Sequence, residues 1–142
     1  DFSINGQKTA QQLNQNQEFC QQLEAIRIKA GMAMGLADVT DKSVPQLCLV
    51  SSGPEEASLR VRSFVRSVWQ PSTDYLTALS VATAALYEKS VLHHLTPLPE
   101  GLARQIQIVS ESGKIDVLLE LNPKRPGIDV LRVGFIQTTK PV

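Results

Sequence analysis

The stretch "PSTDYLTALSVATAALYE", Pro71 to Glu88, gathers three side chains, Ser72, Thr73 and Asp74, that can each cap the helix following them. A helix start leaves backbone N–H groups aimed out of its first turn. Together with the positive end of the helix dipole, those groups suit a carboxylate. The same residues are also explained as a plain N-cap on a core helix, in which case Asp74 already holds the position an anion would take. Both readings stand on these residues alone.

The other reactive side chains carry less. His93 and His94 are adjacent, so on a helix they point about 100° apart and make no two-ligand face. Near a helix C-terminus their expected role is capping. Cys20 falls inside a helical pattern and Cys48 inside a strand pattern, with no CxxC pair, no His at ligand spacing and no helix N-terminus beside them. They are expected to be reduced structural thiols. No GxSxG, HExxH, GxGxxG or P-loop pattern occurs. Neither a metal nor a cofactor is expected.

Composition narrows the partners. Fourteen basic and fourteen acidic residues leave no net charge, which removes the electrostatic footprint of a nucleic-acid binder or of a protein drawn to an acidic membrane. No apolar run approaches the roughly 18 residues of a membrane span, and "DFSINGQKTA" lacks the pattern of a signal peptide. These features predict a soluble, cytoplasmic protein. At 142 residues a single domain can bury a core of its own.

The elements that must position the capped turn follow from periodicity. Phe19, Leu23, Ile26, Ala30 and Ala33 recur at helical spacing, predicting an amphipathic helix that follows a polar "QQLNQNQEF" start and ends near Gly35. "PQLCLVSS" and "SLRVRSFVR", separated by "GPEEA", predict a hairpin. The second strand alternates Leu59, Val61 and Val65 with Arg60, Arg62 and Arg66, which reads as a solvated sheet face or as an anion site. From Asp74 to about Leu92 the chain looks helical, and between Tyr75 and Tyr87 its polar side chains are only Thr77, Ser80 and Thr83. A helix that apolar is expected to be surrounded by protein. "RQIQIVS", "GKIDVLLEL" and "IDVLRVGFIQT" predict three more strands, with turns at "SESG", where Gly113 can supply a positive φ, and at "NPKRPG" around Pro123 and Pro126. The fold class expected is α+β: a mixed, strongly curved sheet wrapped around a central buried helix, plus an N-terminal amphipathic helix.

Several stretches resemble one family. "LEAIRIKAGMAMGLADVT", Leu23 to Thr40, is similar to the LE.IR..AG..MGL segment of the 2-methylaconitate isomerase (PrpF) family. "SVWQPSTDYLTALSVATAA" resembles its S-M-x-Q-P-H-[RK]-A-x-x-x-T-G-A motif. "IQIVSESGKIDVLLE" and "VLRVGFIQTTKPV" resemble I.I.HPSGKIDV and the Arg-Thr-Ala-Arg strand after it, and "DFSINGQ" is similar to D-[LF]-G-[IL]-x-G. The resemblance implies a diaminopimelate-epimerase-like fold of two similar lobes. Residues 1–142 would then be the second, C-terminal lobe, its N-terminal lobe missing.

The resemblance further implies a small polycarboxylate bound between lobes and isomerised by proton movement without a cofactor. Ser67, Gln70, Ser72, Thr73, Thr77, Ser112 and Gly113 would form this lobe's share of the substrate site. No catalytic residue is expected in the chain, because the family's reactive thiol and lysine belong to the first lobe. Ser72 and Thr73 replace the motif's His and basic residue, Ala78 or Leu79 stands at its Gly, and Ser110 and Glu111 replace His-Pro. A wall that is basic in the family is neutral or acidic here, which favours an alternative: a non-catalytic binding or assembly module of the same fold. A lone lobe should expose an apolar patch and could form a homo-oligomer to cover it, whereas a stand-alone single-domain protein would show no such patch.

Overall fold

The computed structural model describes residues 4–125 and 127–140. Its elements are α1 (Ala10–Gln15), α2 (Gln17–Ala33), β1 (Leu47–Ser52), β2 (Ser58–Val65), β3 (Val68–Gln70), α3 (Tyr75–Leu86), β4 (Ala103–Val109), β5 (Gly113–Leu121) and β6 (Val130–Thr139). Residues 1–3, Pro126, Pro141 and Val142, which carry parts of the "DFSINGQ", "NPKRPG" and "VLRVGFIQTTKPV" expectations, lie outside the described residues.

The polar N-terminal stretch forms a corner between two helices. Thr9 and Gln12 make a reciprocal capping box at the start of α1. Asn16 then closes one helix and opens the next: its N–H donates to the Leu13 carbonyl at 3.1 Å, and its Oδ1 accepts from Phe19 N at 3.1 Å. The buried stripe of α2 is Phe19, Leu23, Arg27 and Gly31, which corrects the stripe expected through Ile26, Ala30 and Ala33; Ile26 is exposed. An arginine takes the apolar position because its guanidinium is saturated there. It donates to both carboxylate oxygens of Glu24 (2.9 and 2.6 Å) and to the carbonyls of Val39 (2.7 Å) and Val44 (2.8 Å). Gly31 leaves room for Val39, whose Cγ2 would lie 2.6 Å from an added Cβ. Met34 caps the helix and Gly35 follows at φ +76°.

The sheet runs β1-β2-β4-β5-β6, with β3 paired to the first part of this path through β2. Every pairing is antiparallel except β2 with β4. The connection between those two parallel strands passes through α3. Leu59, Val61, Ile106, Ile108, Ile115, Val117, Leu119 and Leu121 line the inner face and pack on Ala78, Val81, Ala82, Ala85 and Leu86 of α3. Edge strands β1 and β6 add Cys48, Val50, Val130 and Phe135 to the same cluster. A helix reached from both edges of one sheet requires that sheet to curve around it.

Two expectations about α3 need correction. The helix stops at Leu86, since Tyr87 takes ψ 121°, and the expected continuation to Leu92 is a series of turns. The chain folds back there, and His93 Nδ1 sits 2.9 Å from the Ala85 carbonyl, so this histidine does serve the helix C-terminus. Burial of α3 is confined to its sheet-facing side: Leu76 is 76% exposed and Ser80 is exposed.

The opposite face of β1–β2–β3 is covered by α1 and α2. Ala10, Leu13, Phe19, Leu23, Phe64 and Trp69 form this second core, with Phe19 stacked on Trp69 at 5.8 Å. Asn14 grips the Trp69 backbone on both sides, donating to its carbonyl (3.1 Å) and accepting from its N–H (2.7 Å). The arginines of β2 are therefore not a solvated face. Arg62 is buried and donates to the carbonyls of Lys8 (3.1 Å) and Val61 (3.0 Å), whereas Arg60 is half-buried and Arg66 is exposed in the following turn. Burial holds the Arg62 guanidinium below its usual pKa, opposed by the charge of Glu111.

Candidate functional site

The start of α3 is capped by Asp74, whose backbone is extended and whose Oδ1 accepts from Thr77 N at 2.7 Å. Ser72 beside it is exposed, while Thr73 is 7% exposed and its hydroxyl has no hydrogen-bond partner. The helix is flanked from both edges of the sheet. Thr77 Oγ1 donates to Gln46 Oε1 (3.3 Å) at the β1 side; Tyr75 packs on Phe135 (4.8 Å between centroids) and donates its O–H to Gln137 Oε1 (2.7 Å) at the β6 side.

The turn between β4 and β5 meets the same place. Ser112 N–H donates to the Pro71 carbonyl at 3.0 Å, tying this turn to the residues just before the helix cap. Lys140 N–H donates to the Ser112 carbonyl at 2.9 Å, so the end of β6 joins them. Ser110 folds the turn by donating from its N–H (2.8 Å) and its hydroxyl (3.2 Å) to the Gly113 carbonyl. Gly113 does not adopt the positive φ expected of it. It is glycine because a Cβ would collide with the Thr138 carbonyl across the β5–β6 pair. Glu111 is turned away from the helix start. Its Oε2 accepts from Ala10 N at 2.8 Å and closes the first turn of α1.

Six of the seven expected site residues thus belong to two connected segments, Gln70 to Thr77 and Ser112 with Gly113. Gln70 is half-buried, with its Nε2 donating to the Val68 carbonyl at 3.3 Å. Ser67 stands apart. It occupies the two-residue turn between β2 and β3, where Arg66 and Ser67 have φ +49° and +63°, and β3 carries the chain about 13 Å before Pro71 is reached. Ser67 lines a cavity of about 220 Å³ with Glu24, Arg27, Thr40, Asp41, Lys42 and Arg66. In this cavity the Arg27 hydrogen bonds pull the Glu24 carboxyl below its usual range, and a hydrogen bond from Ser67 adds to the effect.

Cys48 lies in the inner core with its Sγ 4.0 Å from Ser63 Oγ. Burial pushes its thiol pKa up, Ser63 opposes that rise and the charge of Asp74 adds to it. It is a half-buried thiol packed against the inner core. His93 and His94 line a cavity of about 490 Å³ with Glu100 and Arg104 at the other end of the helix. Among the described residues no group of three or more His, Cys, Asp or Glu is arranged to hold a metal ion, and no helix is long and apolar enough to cross a membrane. Sequence reasoning did not anticipate that Gln46 and Gln137 flank the start of α3. Gln46 precedes its strand by one position and Gln137 reads as one more polar position of an alternating strand, so neither carried a signal.

Relatives place this geometry in context. The chain is 34% identical over 122 residues to a (4E)-oxalomesaconate Delta-isomerase of Novosphingobium sp. strain KA1, an alignment covering 86% of this chain and 34% of that protein. It is 31% identical over 121 residues to a 4-oxalomesaconate tautomerase of Pseudomonas putida KT2440, covering 85% of this chain and 34% of the relative. The crystal structure of a methylitaconate-delta-isomerase superposes with a TM-score of 0.71 at 18% identity, covering 94% of this chain and 41% of that one. The fold is the diaminopimelate-epimerase-like one. No family model matches the sequence. The homologues are isomerases and tautomerases, and the chain spans about a third of the length of the curated relatives it matches.

Proposed function

We propose that this chain is the substrate-binding lobe of a cofactor-independent isomerase or tautomerase, which moves a proton within an unsaturated di- or tricarboxylic acid of the 2-methylaconitate or oxalomesaconate kind. The observation carrying this reading is the junction of Ser112 with Pro71, which holds the β4–β5 turn against the start of α3. This junction brings the exposed Ser112 to the residues that lead into the first helical turn, whose N–H groups other than that of Thr77, held by Asp74, are the donors this reading uses. Such an arrangement can bind a carboxylate and stabilise the negative charge that develops when an acidic carbon loses its proton. Proton abstraction itself needs a base and an acid on opposite sides of that carbon. Those groups are assigned to a first lobe, and the chain alone is expected to bind without turning over.

Amide NMR shifts recorded during titration with cis-aconitate test the reading. Saturable shifts at residues 72–77 and 112–113 are expected. Their absence at millimolar ligand would remove the binding role.

A second reading, a non-catalytic binding or assembly module, is favoured by the Asp74 carboxylate at the helix start and by Glu111 being committed to α1. The exposed side chains of Tyr75 and Leu76 give such a module an apolar contact surface. In that case the titration is silent, and self-association or capture of a second lobe is the measurable activity.

A further inference from the structure

The far end of α3 from the candidate site borders the cavity of about 490 Å³, a size that encloses a small organic molecule. Its walls are largely apolar: Leu86 from the last turn of α3, and Leu95, Leu98 and Pro99 from the chain that follows. That chain is fixed to the sheet. Ser52, the last residue of β1, donates its hydroxyl to the Leu95 carbonyl, and Ala57 N–H, just before β2, donates to the Pro97 carbonyl at 3.1 Å. His94 lines the same cavity and stands edge-on to His93 with 5.1 Å between ring centroids, which adds an aromatic surface.

Polar groups that the fold leaves unused meet these walls. Thr96 lines the cavity at 8% exposure, and its hydroxyl has no hydrogen-bond partner among the described residues. Unlike the sealed Thr73 hydroxyl, its oxygen keeps contact with solvent. Arg104 is in step with Ile106 and Ile108 along β4, so it projects from the sheet face that carries α3. Its Nε donates to the Gly101 carbonyl, and its terminal nitrogens have no partner among the described residues. Glu100, the acid of this lining, makes no ion pair with Arg104. His93 is already used, since its Nδ1 lies on the Ala85 carbonyl and closes the helix end.

A half-buried guanidinium with free donors and a largely buried hydroxyl without a partner both gain from a ligand oxygen. One permanent cation beside one acid disfavours a doubly charged ligand such as phosphate, and the leucine and proline walls call for an apolar body. We propose that this cavity binds a small organic monocarboxylate, its carboxylate held by Arg104 and the Thr96 hydroxyl and its apolar body by Leu86, Leu95, Leu98 and Pro99. The site is separate from the α3 start, since the 12 residues of the helix span about 18 Å, and it stands whether or not the isomerase-lobe reading does.

Benzoate is the probe, with acetate as the carboxylate alone, benzyl alcohol as the apolar body alone, and amide NMR as the readout. Benzoate is expected to give saturable shifts at residues 93–100 and 104, and to bind about tenfold more tightly than either control. Arg104→Met keeps the apolar stem and should weaken benzoate about tenfold, the loss of a hydrogen bond to a charged group. Thr96→Val removes only the hydroxyl; it should weaken benzoate several-fold while the thermal midpoint stays or rises, as expected where the hydroxyl has no protein partner. Glu100→Gln removes the opposing charge and should tighten binding. The last two variants preserve side-chain shape, so they decide the matter even where Arg104→Met disturbs β4. The inference is overturned by absence of saturable shifts at millimolar benzoate, by shifts confined to residues 72–77, by equal affinity for benzyl alcohol, or by wild-type affinity in Thr96→Val and Glu100→Gln alike.

Discussion

Asp74 decides how the start of α3 behaves toward an anion. Its carboxylate satisfies one of the orphan N–H groups of the helix, yet places a negative charge where a substrate carboxylate would go. Asparagine caps as well as aspartate does. Asp74→Asn should therefore keep the thermal midpoint within a degree or two and tighten cis-aconitate binding several-fold, whereas Asp74→Ala should cost about 1 kcal/mol; calorimetric titration and a thermal melt measure both. Glu24 makes a second residue-scale case. Its folded-state pKa is lowered by Arg27, so the stability it contributes is present above the ordinary carboxylate value and is lost as pH falls through the lowered one. Melting points recorded between pH 6 and 3 should fall for wild type and fall less for Glu24→Gln. Glu24→Ala leaves the buried Arg27 with two carbonyls only and should cost about 3 kcal/mol.

At the scale of elements, what was legible in the sequence depended on whether one side chain's surroundings were local. The strands, the hairpin and the Asp74 cap follow from alternation and turn residues that neighbours in sequence determine. The α2 stripe was misread because Arg27 is buried by carbonyls 12 and 17 residues away, which helical periodicity does not contain. The arginine face of β2 was misread because the segment leading into α1 folds across it and its Lys8 carbonyl takes the Arg62 guanidinium. Gly113 was assigned to turn conformation, and its real constraint is the Thr138 carbonyl on the neighbouring strand, 25 residues on. Gly113→Ala should accordingly push β6 from β5 near Thr138 and cost about 1–3 kcal/mol. Hydrogen exchange would locate the damage at the Lys140 and Ser112 amides, and undiminished protection there would contradict the steric account.

For the whole molecule, one curved sheet carries two cores on its two faces, and their balance sets where function can sit. The α1–α2 side is closed over Trp69 and Phe64. The α3 side leaves the helix start, Leu76 and the β6 end open. Resemblance at Gln70 to Thr77 and at Ser112–Gly113 pointed to this open side; Ser67 did not join it, because a motif records order along the chain while the β2–β3 turn sends that residue to the opposite end of β3. Gln46 and Gln137 reach the start of α3 only through the sheet's curvature, which no short motif encodes. A crystal structure of the chain soaked with cis-aconitate bears most directly on the binding-lobe proposal. The ligand is expected at the first turn of α3, with oxygens within hydrogen-bond distance of its N–H groups and of the Ser112–Gly113 turn. A ligand seated instead among Arg27, Lys42 and Arg66, or beside His94 and Arg104, with the α3 start empty, would contradict it.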